Sequence, residues 1–246
     1  MNIDFAGRSI VVTGGTGALG SAVVSLLLES GGSCIVPVFA REELARFPYA
    51  NHPRVRIVEG VDLSDDDAVT RFYAAASDHA KAGADPSSRL WASIHIAGGF
   101  AMAPLAETTA DLLRRQFSTN VLTCALCCRE AVRSMRAAKV VGRIVNVAAR
   151  PGLEPEQGVG MSAYAVAKAG VAALTRCLAA ELAPEGIWVN AVVPSIMDTP
   201  ANRRAMPSAN HDAWPKLADV AATIAFLASP QNAVTRGGLV PVYGKA

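Results

Sequence analysis

Seven short apolar runs alternate along the chain with longer segments rich in alanine and leucine, and this alternation limits the fold more than any other feature. The runs cover 9–13, 34–38, 54–58, 91–96, 143–147, 188–193 and 239–242, and helical patterns cover 18–30, 65–82, 109–138, 162–183 and 216–228. The runs are mostly continuous apolar stretches rather than alternating ones, which marks strands covered on both faces. Strands that alternate with helices in this way predict an α/β fold, a doubly wound parallel sheet of about seven strands with helices on both faces. No linker rich in Pro, Gly or Ser divides the 246 residues, so residues 1–246 read as a single domain. A chain of this length buries roughly 70–75% of its unfolded surface, enough for one large core. In such sheets ligands sit beyond the carboxyl ends of the strands, and the chemistry is expected just after each one.

The balance of 51% hydrophobic and 18% charged residues with a net charge of +2 excludes a disordered chain and does not suggest a nucleic-acid binder. Asp4 and Arg8 lead directly into the first apolar run, with no basic leader or cleavage site. No apolar run reaches the ~18 residues of a membrane span, so neither a nucleic acid nor a membrane is expected as a partner. Five cysteines, at 34, 124, 127, 128 and 177, are an odd number without a disulfide framework, and a cytoplasmic location is the simplest expectation. Cys124, Cys127 and Cys128 share one face of a helix, but His52, His79, His95 and His211 offer them no ligand spacing. Buried packing is therefore expected of these thiols, and no metal.

The first run opens into "VTGGTGALGSAVVSLLL", where Gly15, Gly17 and Gly20 fit G-x-G-x-x-G between a strand and a helix. Such glycines let the turn tighten and the backbone approach a pyrophosphate, while the helix N-terminus offers unpaired N–H groups to the anion. A Rossmann-type dinucleotide site follows, with Gly14, Gly15, Thr16, Gly17, Ala18, Leu19 and Gly20 around the phosphates. An acid that would hold the ribose hydroxyl of NAD is expected at the end of the second run, yet "VPVFARE" has Val38 and Phe39 there and a cation, Arg41, close by. A cation accommodates the 2′-phosphate of NADP, so the cofactor is NADP or NAD, with NADP favoured; Arg41 as a solvated residue at a helix start is the alternative.

In "YAVAK", Tyr164 and Lys168 stand one helical turn apart on the same face. A surface helix with a snorkelling lysine would look the same. With the glycine loop in the same chain, however, the sequence resembles the short-chain dehydrogenase/reductase family over nearly its whole length. "TGGTGALG" is similar to that family's glycine motif, and Asp62, followed by Leu63, stands where the family contacts adenine. "HIAGG", ending in Ala97, Gly98 and Gly99, resembles its Asn-Asn-Ala-Gly turn with both asparagines lost. Asn120 is similar to its helix asparagine, and Tyr164 and Lys168 to its Tyr-x-x-x-Lys pair. "PSIMDTP", with Pro194, Ile196 and Thr199, resembles the segment that closes over the nicotinamide.

The resemblance implies an NAD(P)H-dependent oxidoreductase, of class 1.1.1 or 1.5.1, that transfers hydride to a carbonyl or quinonoid acceptor of small size. Tyr164 would be the general acid, and Lys168 would lower its pKa from about 10 and hold the nicotinamide ribose. Asn120 would hold a water in the proton path. The family's serine after the fifth strand is missing, since "RIVNVAARPG" has Ala148 and Ala149. Loss of such a donor typically costs about 10²–10³ in rate. A reactive acceptor, a substitute such as Ser162 or the loop carboxylates Glu154 and Glu156, or a catalytically silent cofactor-binding protein would each explain it. Dihydropteridine reductases, a branch that keeps Tyr and Lys without the serine, are also similar in "AGGF", "GMSAY" and the segment 198–214, an expected lid. Ala149, Met197 and Arg203 are expected at the substrate. His95 is expected as a hydrogen-bonded filler, and Arg203 and Arg204 either meet an anionic substrate or are solvated. A homodimer or homotetramer is implied by the resemblance, and the closing "PVYGKA" would reach a neighbouring subunit.

Overall fold

The computed structural model describes residues 3–81 and 89–245. The expected helix end at 82 and the final residue, Ala246, lie outside the described residues. The strands are β1 (Ser9–Thr13), β2 (Ser33–Val38), β3 (Val55–Glu59), β4 (Leu90–His95), β5 (Arg143–Val147), β6 (Trp188–Pro194) and β7 (Leu239–Val242). They form one parallel sheet in the order β3-β2-β1-β4-β5-β6-β7. The chain moves outward from β1 to β3, returns to pair β4 with β1, and then runs outward the other way. That reversal opens a crevice beyond the carboxyl ends of β1 and β4.

The helices are α1 (Ala18–Glu29), α2 (Asp66–Lys81), α3 (Ala110–Phe117), α4 (Thr123–Ala138), α5 (Arg150–Leu153), α6 (Ser162–Glu181), α7 (Pro200–Ala205) and α8 (Leu217–Ala228). Successive strand side chains face opposite ways. Ile10 and Val12 of β1 therefore join the core under α1 and α8, with Val23, Leu27 and Ile224. Val11 joins the core under α2, α4 and α6, with Phe72, Met135 and Val171. Both faces of the inner strands are dry, and this is why they read as largely apolar runs, whereas the edge strands β3 and β7 keep exposed positions. Arg54, expected inside the third strand, instead caps α1: its guanidinium donates to Leu28 O at 2.7 Å and Gly32 O at 2.9 Å, and β3 begins one residue later.

One expected helix is corrected. The helix expected over 109–138 is interrupted by a π-helical turn, Ser118–Leu122. The 20-residue α6 is long and apolar enough to cross a membrane by length and composition only, and it carries Lys168 and Arg176. In the fold its Val171, Ala172 and Ala179 are buried in the core beside Ile144 of β5 and Val189 of β6.

Candidate active site

Hydrogen bonding and close packing determine the glycine loop after β1. Gly14 has φ +65°, and a Cβ on it would stand 2.7 Å from the Ala97 nitrogen of the neighbouring β4 loop. Only glycine adopts that conformation and that approach without strain. Thr13 ties the two loops together, its carbonyl accepting from Ile96 N and its hydroxyl from Ala97 N at 3.3 Å. A Cβ on Gly20 would collide with the Gly14 carbonyl, so α1 packs directly on the loop. Gly17, the N-cap of α1, is exposed and places no side chain over the first turn, which also lacks an acid. The first N–H groups of α1 therefore face outward without a side-chain cap, a site made for an anion.

Glu43, which the sequence reading missed, also reaches this loop. Its carboxylate accepts from the Thr16 hydroxyl at 2.8 Å and from Ala40 N at 3.0 Å. The signal was an acid downstream of Gly20, displaced from the strand end into the turn Arg41–Arg46. Arg41 is exposed and loosely paired with Glu59 at 3.7 Å. Asp62 follows β3, where one carboxylate oxygen accepts from both the backbone and the hydroxyl of Ser64, and Leu63 packs partly on the core.

Around Tyr164, three elements converge. The hydroxyl of Tyr164 has no hydrogen-bond partner among the described residues, and Phe100 stacks edge-on against its ring with centroids 5.0 Å apart. Lys168, one turn along α6, is 6% exposed, and its ammonium donates to Val147 O at 2.8 Å, 5.9 Å from the Tyr164 ring centre. An ammonium has three donors, and Val147 O at the end of β5 is the acceptor found for one of them. Burial lowers the Lys168 pKa to about 8. Burial raises the Tyr164 phenol to about 12.

Asn120 sits in the π-helical turn and is 1% exposed. The wider turn disturbs the regular ladder, and the Asn120 amide bonds the backbone around it, donating to Gln116 O at 3.0 Å and Gly99 O at 2.9 Å. Gly99 N donates back to Asn120 Oδ1 at 3.3 Å. A Cβ on Gly98 would stand 2.7 Å from Asn120 Oδ1 and 3.4 Å from Lys168 Nζ. Glycine at 98 thus keeps open the space these two side chains border.

Ala149 is 5% exposed at the start of α5, where a serine hydroxyl would otherwise stand. Ser162 is exposed, and Glu154 is held by Arg150 at 2.7 Å, while Glu156 is exposed. Gly152 packs α5 onto α6, since a Cβ there would stand 2.6 Å from the Lys168 carbonyl carbon. Arg203, expected at an anionic substrate or in solvent, is half-exposed and paired with Asp198 at 2.5 and 2.9 Å, with Lys216 also on Asp198 at 2.8 Å. Arg204 is exposed. Met197 packs against the core under α1 and α8. Pro194 ends β6, Ile196 is 45% exposed, and Thr199 caps α7 by accepting from Asn202 N at 3.1 Å. The expectation that no histidine reaches the α4 cysteines is overturned, because β4 carries His95 to Cys124 and Cys128.

The uncapped α1 terminus, the glycine cradle and a buried lysine facing Gly98 fit a bound dinucleotide. Known proteins agree. Residues 8–210 match the profile of the short chain dehydrogenase family. A cis-4-hydroxycyclohexanecarboxylate dehydrogenase of Sinomonas cyclohexanicum is 36% identical, over 99% of this chain and 98% of its own. A 2,5-dichloro-2,5-cyclohexadiene-1,4-diol dehydrogenase of Sphingobium indicum is 33% identical, over 82% of this chain and 78% of its own. Among solved structures, a short chain dehydrogenase from Mycobacterium smegmatis superposes with a TM-score of 0.81 at 29% identity, covering 98% of this chain and 95% of its own. ElxO, solved with NADP bound, shares the fold with a TM-score of 0.85 at 23% identity, covering 96% of this chain and 97% of its own. The chain belongs to the short-chain dehydrogenase/reductase family. It is an oxidoreductase whose cofactor is NADP or NAD. None of the relatives named here speaks for the dihydropteridine branch.

Proposed function

We propose that this chain interconverts a secondary alcohol and a ketone on an apolar, alicyclic substrate, with Tyr164 as the group that gives and takes the proton. Lys168 carries this reading: a buried ammonium one turn from the tyrosine, with Val147 O as its protein acceptor. The dinucleotide supplies or accepts the hydride. In reduction Tyr164 donates its phenolic proton to the substrate oxygen, and its raised pKa keeps that proton available near neutrality. The Lys168 charge favours the phenolate left behind, and its remaining N–H groups orient the ribose. Asn120 fixes the Gly98–Gly99 loop and holds the water through which the proton is replaced.

The ring substrate is supported by the names of the two relatives and by the surroundings of Tyr164. Phe100, Met102 and Val159 are 62%, 61% and 80% exposed, and Met102 reaches Gly160 beside Val159. Apolar side chains left open beside a reactive hydroxyl suit an apolar substrate. NADP is the favoured cofactor, since Arg41 is exposed and its loose pair with Glu59 leaves it available to a phosphate. Exposed Leu113, Phe117 and Val166 are in keeping with a homo-oligomer.

The test follows NADPH and NADH absorbance with 4-oxocyclohexanecarboxylate, simple cyclic ketones and quinonoid dihydropterin, on wild type and Ala149→Ser. Turnover of ring ketones is expected, and Ala149→Ser should raise it by about tenfold or more by restoring a donor to the oxygen. Cofactor binding with no turnover of any ring ketone would overturn the reading, and turnover of the pterin alone would replace the substrate.

A pH dependence follows from the lowered pKa of Lys168. Lys168 carries its charge below pH about 8 and loses it above. For reduction, kcat/KM, which reports the free enzyme, should hold on the acid side and then fall about tenfold per unit above that value. A flat profile from pH 6 to 10 would remove Lys168 from the reaction.

A further inference from the structure

The carboxyl ends of β4 and β5 and the first turns of α4 enclose a group of polar side chains that the proposed reaction does not use. A ring nitrogen of His95, Cys124 Sγ and Cys128 Sγ all lie within 4.8 Å of one another. Cys128 Sγ is 3.4 Å from His95 Nδ1, close to the roughly 3.5 Å between a sulfur and a nitrogen bound to one tetrahedral zinc. Asn146 Oδ1 completes the group, 2.8 Å from His95 Nδ1 and 3.5 Å from Cys128 Sγ. The four residues are 0–5% exposed.

Their surroundings hold them in place. Asn146 Nδ2 donates to Thr175 Oγ1 at 3.0 Å, and that hydroxyl donates to Val171 O, so the Asn146 oxygen must face His95. On the far side of the ring, His95 Nε2 meets Ser93 Oγ at 2.8 Å and the Tyr73 hydroxyl at 3.2 Å. A ligand histidine needs this second contact, which orients the ring and takes the other N–H.

We propose that His95, Cys124, Cys128 and Asn146 form a binding site for a thiophilic divalent cation of the zinc class. Without metal, His95 Nδ1–H donates to Asn146 Oδ1. On binding, both thiols release their protons, and the imidazole proton moves to Nε2, where it is donated to Ser93 or Tyr73. One divalent ion and two thiolates sum to zero charge, so a fully buried site leaves no charge uncompensated. Cys124 lies one helical turn beyond Asn120, and the ion would join α4 to β4 and β5 directly behind the Gly98 loop.

The experiment uses the full chain, produced under reducing conditions in zinc-supplemented medium, dialysed, and analysed for metal. About one zinc per chain is expected in wild type and in Cys177→Ser, which removes the exposed thiol, with loss in Cys128→Ala and His95→Gln. Because those variants could fail to fold, wild type is also refolded with Co²⁺. A tetrahedral d–d spectrum with thiolate charge-transfer bands is expected, with bleaching when zinc is added. Zinc at background in wild type together with a cobalt spectrum lacking thiolate bands overturns the site. So does metal that is retained in folded Cys128→Ala but lost in Cys177→Ser.

Discussion

Tyr164→Phe is expected to lower kcat about 10²–10⁴-fold while leaving cofactor affinity and folding unchanged. The Tyr164 hydroxyl has no hydrogen-bond partner among the described residues, so its removal breaks no contact that holds the fold. Phenylalanine keeps the edge-on packing against Phe100. The loss should therefore appear in single-turnover hydride transfer, with thermal unfolding and NADPH titration as the unaffected measures. Full activity in the variant would mean that the proton comes from elsewhere, and the role assigned to Tyr164 would be withdrawn.

Gly20→Ala has the largest expected effect on the cofactor site. The added methyl would collide with the Gly14 carbonyl oxygen and stand 2.6 Å from Gly15 Cα. Both obstacles are backbone, with no flexible side chain to give way. Overpacking of this kind costs about 1–3 kcal/mol. In a chain of this length that corresponds to roughly 3–10 °C in Tm. The loop can only relieve the clash by moving away from α1, and the pyrophosphate site moves with it, so NADPH affinity should fall about 100-fold or more. Gly17→Ala is the contrasting variant. Its methyl meets nothing nearer than the Gly14 oxygen at 3.3 Å, and it stands on the exposed side where the phosphates approach. It should keep the wild-type Tm while weakening the cofactor. Equal Tm values for Gly20→Ala and wild type would show that the loop yields more easily than its packing implies.

Much of this molecule was legible along the chain because burial writes itself into local pattern. The runs at 9–13, 143–147 and 239–242 became strands with the expected bounds, since short runs dominated by apolar residues mark strands of a covered sheet. The glycine loop was legible for a similar reason: a backbone packed on backbone tolerates no side chain at 14 or 20. Tyr164 and Lys168 were visible as a pair because one helical turn places both on one face.

Contacts between distant segments were not legible. That Lys216 would join Arg203 on Asp198 was not visible until the turn before α8 brought it alongside. Glu43 looked like an ordinary polar residue until its turn folded back onto Thr16. Asn120 matched a motif, but the π-helical turn that aims it at Gly99 has no local periodic signature. The four histidines showed no ligand spacing to the cysteines of α4, yet His95 meets them. The sequence alone determined which segments are strands and helices, and which backbone must stay bare, because those properties depend on neighbours within a few residues. Only the tertiary structure decided which polar groups meet, because the order of strands across the sheet brings His95 of β4 and Asn146 of β5 side by side, 51 residues apart in the chain.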